Sequence, residues 1–377
     1  MILKQGDNYF CKGGLGRFLD EIAQRYDELI VCAPVSEGCG AYTQQYRIVA
    51  KNITLQALPP YASFISALKH RNKMISFLKQ YSANWNSPLY IRWPTPLAYT
   101  VYKIGKKRNL PMLLHIVGDP KSIISESGKY KGAIKMLAII YINTVEKQVK
   151  RMIQEIPTLV NGSGLRRLYA GDAKAKVKEI RSATLAADEI INDYEELNKD
   201  NVRLLYVGML KQEKGVNYLI EGFKLLIDQG YKARLTIVGD GPEKAKLEQR
   251  VMEMQVGNVI SFIGYVPLGP QLLEIYKHND VFILPSISEG TPRVLIEAMA
   301  NKLLVIATNV GGVPFTINNN QNGILIEPKS PEQICCAVKE ILKNDEKREQ
   351  IIEEAFEFAK ENTLESFVDN ICNAFEL

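Results

Sequence analysis

The sequence predicts an α/β protein built as two domains, and three observations carry that prediction. A chain of 377 residues that is 46% hydrophobic is long and apolar enough for two cores. Short apolar runs such as Leu89–Trp93, Met112–Val117, Arg203–Gly208 and Leu304–Thr308 alternate with segments of helical spacing. That is the pattern of parallel strands joined by crossover helices. Between the halves, Ala186–Asp200 is acidic and lacks strong periodicity, so it reads as a linker. The expected division is 1–186, a linker at 187–200, a second domain at 201–360 and a terminal helix at 361–377.

In chain order, Ile2–Phe10 reads as a short, polar extended segment, and Gly13-Gly14-Leu15-Gly16 opens a helix placed over Phe18–Tyr26. Glycines at such a point let the backbone approach a ligand and expose N–H groups at a helix start. Leu29–Pro34 and Ile53–Leu58 read as strands, Ser63–Tyr81 as a helix, and Tyr99–Arg108 as a basic helix. Together with Leu89–Trp93 and Met112–Val117 they imply a parallel sheet covered on both faces. Gly118-Asp119-Pro120 follows a strand end, where open α/β sheets bind ligands, so Asp119 is a candidate acceptor-side contact. Its plainer reading is an Asp-Pro turn. His115, inside the strand, reads as a packed core histidine. Tyr130–Gln154 carries Ile134, Leu137, Tyr141, Val145 and Val149 at helical spacing, with Lys131, Lys135, Lys147, Lys150 and Arg151 around them. Thr158–Asn161, a helix at Gly162–Tyr169 and Val177–Arg181 complete the first domain.

The second domain opens with the Arg203–Gly208 strand, a loop to Gly215 and an amphipathic helix over Val216–Gln229. Arg234–Val238 and Val259–Ile263 follow as strands, with a helix from Pro242 to Met254 between them. Val281–Pro285 is a buried strand and Ser286–Gly290 a polar turn. Thr291 suits an N-cap and Pro292 the first helical position, so a helix is expected from about Pro292, with Leu295, Met299 and Leu303 as its apolar face. Helices are expected over Pro331–Lys343 and Glu346–Asn362, and Thr363–Phe375 ends the chain.

Two carboxylates frame the helix start: Glu289 in the loop before it and Glu297 inside it. Lying on either side of that point, they can grip two ends of one ligand whose phosphate rests on the helix N-terminus, as a nucleotide-sugar would. The plainer reading makes one a solvated turn residue and the other an ordinary surface helix residue.

Glu289-Gly290, Glu297-Ala298-Met299-Ala300, Val305–Thr308, Val310–Pro314, Asn322-Gly323 and Glu327-Pro328 resemble the donor-binding signature of the retaining glycosyltransferases of family 4. The resemblance is close in the C-terminal half and loose in the N-terminal half. It implies the GT-B fold, two Rossmann-like domains with parallel sheets facing each other across a cleft, with the last helix crossing back to the first domain. The implied activity is retaining, metal-independent, hexosyltransferase-type transfer from a UDP- or GDP-sugar to a hydroxyl of a glycan or lipid-linked acceptor. No cofactor is implied, because the nucleotide-sugar is a substrate. Lys214-Gly215 matches the second family signature, and Met209 stands where an arginine is usual. The resemblance therefore makes Lys214 the cation for the departing diphosphate, with Lys211 or Arg293 as substitutes for the missing arginine. Glu289 would hold sugar hydroxyls and Glu297 the ribose, while Gly14, Gly208, Tyr265, Val266, Gly290, Thr291, Pro292 and Arg293 would line the donor. The rival reading, suggested by Met209, is a GT-B protein that binds nucleotide-sugar or a partner transferase without turnover. An epimerase would need histidines in the cleft motifs, and a phosphorylase a pyridoxal lysine signature; neither pattern is present.

Residues 1–190 hold 28 Lys+Arg against 14 Asp+Glu, and the remainder 19 against 28. A basic first half suggests an anionic partner such as a membrane surface, with dispersed solvated lysine as the plainer account. Nucleic acid is not expected, since no basic stripe is interleaved with aromatics. The six cysteines lack metal spacing and read as reduced, no metal site is expected, and the start of the chain lacks a signal-peptide pattern. The expected location is cytoplasmic or peripheral on the inner membrane face.

Overall fold

The computed structural model of the protein describes residues 2–11, 13–37, 45–61, 66–121, 124, 131–170, 177–190, 197 and 199–375. Linker residues 191–196 and 198, the expected helix starts at Ser63 and Tyr130, and Cys39 lie outside the described residues. The chain forms two compact units, Met1–Arg181 with Phe367–Leu377, and Ser182–Ser366. The division falls at Arg181 rather than at 186 because Leu185 is buried in the second unit's core and Thr184 bonds to Glu297 there.

The first unit holds two sheets rather than one parallel sheet. One contains β1 (Ile2–Gln5), β2 (Asn8–Cys11), β3 (Leu29–Glu37), β4 (Tyr46–Arg47) and β5 (Ile53–Leu58), in the order β4-β2-β1-β3-β5. The expected single segment Ile2–Phe10 is a hairpin, because Gly6 at φ +57° turns the chain and pairs Gln5 with Asn8. The other sheet is parallel, β6 (Leu89–Trp93), β7 (Met112–Ile116), β8 (Thr158–Asn161) and β9 (Val177–Ile180). Helix α1 (Leu15–Ala23) begins directly after Gly14, three residues before the expected Phe18, because Leu15 and Gly16 already follow the helical path. Next come α2 (Arg71–Tyr81), α3 (Ala98–Lys107), α4 (Gly132–Glu155) and α5 (Gly162–Tyr169). Trp93, Leu114, Ile116, Val149 and Met152 form the core between the parallel sheet and its helices.

In the second unit six parallel strands run β12-β11-β10-β13-β14-β15. They are β10 (Val202–Val207), β11 (Ala233–Val238), β12 (Ile260–Gly264), β13 (Val281–Leu284), β14 (Leu304–Thr308) and β15 (Ile324–Ile326). Alternation along β10 feeds both faces: Leu204 and Tyr206 pack under one helical layer, Leu205 and Val207 under the other. The covering helices are α6 (Val216–Asp228), α7 (Lys244–Glu253), α8 (Pro270–Lys277), α9 (Val294–Ala300), α10 (Pro331–Lys343) and α11 (Asp345–Glu361). The last helix, α12 (Leu364–Asn373), carries the chain back into the first unit, where the Phe367 ring lies 5.6 Å from Phe18 and Arg25 pairs with Asp369 at 2.9 Å.

Strand order in this unit is that of a Rossmann sheet. The chain winds outward from β10 through β11 to β12, then restarts beside β10 with β13. The carboxyl ends of β10 and β13 therefore flank a topological switch point, the place at which open α/β sheets bind ligands.

Candidate active site

The loop after β10 is 208–215 and the loop after β13 is 285–293, so chain order separates them while the sheet places them side by side. Their close approach is built from backbone. Gly215 has φ +64°, and a Cβ there would lie 2.1 Å from the Pro285 carbonyl oxygen. Ile287 N–H donates to the Glu213 carbonyl at 2.8 Å. From the far side Gly311, at φ +54°, passes so near the Glu289 carbonyl that a Cβ would sit 1.9 Å from it.

This scaffold brings together the two charged residues that sequence reasoning assigned separately. Lys214 Nζ lies 2.7 Å from Glu289 Oε1, and Ser286 Oγ donates to the same oxygen at 2.7 Å. The Glu289 side chain is 7% exposed and that of Lys214 is 23%. Glu289 Oε2 accepts no hydrogen bond among the described residues. The pair thus presents one open carboxylate oxygen and an ammonium with N–H groups to spare. Ser286 is itself buried and its carbonyl accepts from Thr308 Oγ1 at 2.5 Å. Neither Ser286 nor Thr308 was singled out from sequence, although Ser286 opens the polar turn directly after an apolar strand.

The helix beyond the loop starts later than its sequence suggests. Helix α9 runs Val294–Ala300 with Arg293 at its N-cap position and no side-chain cap, so Thr291 is not the N-cap and Pro292 lies ahead of the helix. Local capping chemistry favoured Thr291, but Gly312 packs against it, its N–H donating to Gly290 and its added Cβ meeting Thr291 Oγ1 at 3.1 Å. Leu303 follows the helix and is buried beside it.

Glu297 is not a surface residue: it is 6% exposed, and both carboxylate oxygens are engaged. Thr184 Oγ1 donates to Oε1 at 3.0 Å and Tyr276 Oη to Oε2 at 3.1 Å. No sequence spacing signals these partners, which lie 113 and 21 residues away.

The remaining expected residues are more dispersed. Gly208 N–H donates to Val238 O at 3.0 Å, and Tyr206 Oη caps the Met209 carbonyl at 3.0 Å. Met209 itself is 54% exposed. Lys211 lies 3.6 Å from Glu213, and Arg293 is exposed. After β12, Tyr265 is exposed whereas the Val266 side chain is part of the core, which leaves only its backbone for a ligand. In the first unit Gly14 precedes α1, and its carbonyl accepts from Phe18 N–H at 3.1 Å. Asp119 Oδ1 caps the Lys121 N–H at 3.0 Å and accepts from Tyr169 at 3.3 Å, a turn-forming role. His115 is fully buried between Tyr90 and Asn161, its Nε2 2.8 Å from Asn161 Oδ1, and burial lowers its pKa to about 3.

Residues 187–358 match the family described as glycosyl transferases group 1. The chain is 34% identical over 156 residues to an uncharacterised glycosyltransferase of Methanocaldococcus jannaschii, a match covering 41% of this chain and 40% of that protein. It is 29% identical over 277 residues to TuaC of Bacillus subtilis, a putative teichuronic acid biosynthesis glycosyltransferase, with 67% of each covered. The structure of HepE from Anabaena, solved with UDP and glucose, superposes with a TM-score of 0.68 at 17% identity, covering 99% of this chain and 98% of that one. The chain has the GT-B fold, and its second unit carries the group 1 glycosyltransferase sequence pattern.

Proposed function

We propose that this protein is a retaining, metal-independent glycosyltransferase of family 4 that moves a hexose from a UDP- or GDP-sugar to an acceptor hydroxyl in polysaccharide or glycolipid assembly. The observation that carries the reading is the Lys214–Glu289 pair at the sheet's switch point, inside the segment that matches the group 1 family. Breaking the bond from the anomeric carbon to the diphosphate leaves negative charge on the phosphate and positive charge on the sugar. An ammonium fixed at a low-exposure site stabilises the first, and backbone N–H groups at the start of α9 add to it. The open Oε2 of Glu289 accepts from a sugar hydroxyl and holds the ring against the departing group. Glu297 serves the ribose, and the exposed Tyr265 flanks the base. Ser286 positions Glu289. A relative named as a putative teichuronic acid biosynthesis glycosyltransferase and a structural neighbour solved with UDP and glucose support this choice of substrates.

The test is turnover by purified protein across UDP-, GDP- and ADP-sugars, preceded by a thermal-shift screen, because a ligand that binds the folded state raises its apparent stability. A second reading, nucleotide-sugar binding without turnover, is favoured by exposed Met209, where the resemblance expects an arginine. Binding with no transfer or donor hydrolysis would select it.

The acceptor side of the proposal is a lipid-linked glycan met at an anionic membrane from the cytoplasmic side. On α4, Ile134, Met136, Leu137 and Ile140 are each more than half exposed, beside exposed Lys131, Lys147, Lys150 and Arg151. An exposed apolar stretch on a helix that also carries exposed cations is the composition of an interfacial helix. Among the described residues no helix is long and apolar enough to cross a membrane.

A further inference from the structure

No aspartate or glutamate occurs in residues 38–118, although 42 of the chain's 377 residues are acidic, and that stretch carries eleven lysines and arginines. Surface helices ordinarily intersperse both signs, because Glu and Lys four residues apart stabilise a helix and like charges at that spacing destabilise it. Here Arg71, Lys73 and Lys79 on α2 and Lys103, Lys106 and Lys107 on α3 are all exposed, and Lys103 and Lys107 stand four apart on one face. Among the described residues only Lys106 of these six forms an ion pair, with Glu155 at the end of α4. The two helices share one apolar cluster, Met74 and Leu78 from α2 with Val101 and Ile104 from α3, so their exposed sides adjoin. We infer that this carboxylate-free surface is the track along which the acceptor glycan lies, and that the acceptor is an acidic one, bearing uronate carboxylates or phosphates. The inference rests on the reading of the first unit as the acceptor side of a transferase.

The placement of α3 suits a polymer that begins at the site. This helix follows β6, so its first turn, with Tyr99, stands at the carboxyl edge of the parallel sheet, where open α/β sheets take their ligands. Its last turn stands at the amino edge. Over its 10 residues, roughly 15 Å of axis, the cations lead away from the ligand edge. A single anion needs one cluster of cations, whereas a row suits repeated anionic units. A bilayer fits this surface less well. The exposed apolar side chains that would enter it, Ile134 to Ile140, sit in the first half of α4, and Lys106 meets α4 at Glu155, roughly 22 Å further along that helix. Nucleobases also fit it less well. On α3 Tyr102 is buried, and the Tyr99 ring has Tyr102 at 5.6 Å and Lys103 Nζ at 5.0 Å, so the rings there are already engaged. An acidic polysaccharide supplies repeated charge without requiring either.

The test is equilibrium binding of the full chain to labelled oligogalacturonate, to a glycerol-phosphate oligomer of similar length, and to methyl-esterified oligogalacturonate, which keeps the sugar and removes the charge. At least one acidic oligomer should bind about tenfold or more tighter than the ester, with affinity falling as salt is raised. Which of the two binds tells carboxylate from phosphate. Lys103→Glu with Lys107→Glu should weaken that binding about tenfold or more, the scale of two exposed ion pairs lost and replaced by repulsion. Lys103→Gln with Lys107→Gln should weaken it about threefold or more, and serves where the glutamate pair does not fold. The same reversal in the second unit, Lys244→Glu with Lys246→Glu, should leave it unchanged. Equal binding of acid and ester, binding of neither acidic oligomer, or an affinity that survives both α3 variants would overturn the inference while leaving the donor reading intact. Tighter binding at the same salt to anionic vesicles or to a DNA oligonucleotide, lost in the α3 variants, would also overturn it and assign the surface to lipid or nucleic acid. A wild-type chain that neither transfers nor hydrolyses any UDP- or GDP-sugar would instead defeat the transferase reading, and the acceptor role with it.

Discussion

Lys214 and Glu289 hold opposite charges 2.7 Å apart at a site with little exposure, so the proposed donor chemistry can be tested at single side chains. Lys214→Ala should lower kcat about 100-fold or more, the scale of losing one preorganised charge-stabilising donor, while raising the donor KM less. Turnover that stays within a few-fold of wild type would remove Lys214 from the leaving-group role. His115 gives a pH prediction. Its folded pKa of about 3 lies below the ordinary value of 6.5, so the unfolded chain binds the extra proton first as pH falls. Stability from this residue is therefore intact above pH 6.5 and lost progressively between there and pH 3. Unfolding free energies from denaturant titrations at pH 7 and pH 4 should differ by about 3 kcal/mol more for wild type than for His115→Gln. Sequence placed His115 in the core because it lies inside an apolar strand. What it could not show were Tyr90 and Asn161, which reach the ring from neighbouring strands.

The loops that carry the site depend on glycine at points of close backbone approach. Gly311→Ala combines a left-handed φ with a Cβ 1.9 Å from the Glu289 carbonyl, so the loop bearing Glu289 must move. The expected cost is about 2 kcal/mol of stability together with a higher donor KM, read from urea midpoints and steady-state kinetics on the same preparation. A stability loss with an unchanged KM would mean that the loop yields elsewhere. Strand positions such as Ile53–Leu58, Leu89–Trp93 and Leu304–Thr308 were legible to the residue, because each is a mostly apolar run bounded by turn residues. Helix starts were less so. Proline and threonine ahead of α9 satisfied every local rule, yet packing of Gly312 against Thr291 held them outside the helix. The β1–β2 hairpin was missed because its signal is one glycine, Gly6, in a polar stretch.

For the molecule as a whole, the proposed membrane encounter belongs to the first unit, where the excess of basic residues and the exposed apolar face of α4 coincide. Sedimentation with vesicles of zwitterionic lipid should leave the protein in solution, and addition of anionic lipid should pellet it in a salt-sensitive way. Leu137→Glu should abolish pelleting without changing transfer to a soluble acceptor. Pelleting that does not depend on anionic lipid would remove the membrane from the proposal. Both chain crossings between the units are local events: Leu185 and Leu364, near the two crossings, share a hydrogen bond at 2.8 Å within the second unit.

The sequence by itself determined the α/β class and most strand positions, because periodicity and turn chemistry are local properties of the chain. Only the tertiary structure decided that Lys214 and Glu289 form one pair, that Glu297 is buried under Thr184 and Tyr276, and that the first unit splits into two sheets. Those facts follow from strand order, and strand order is set by how the whole set of apolar faces buries itself, which no short stretch of sequence contains.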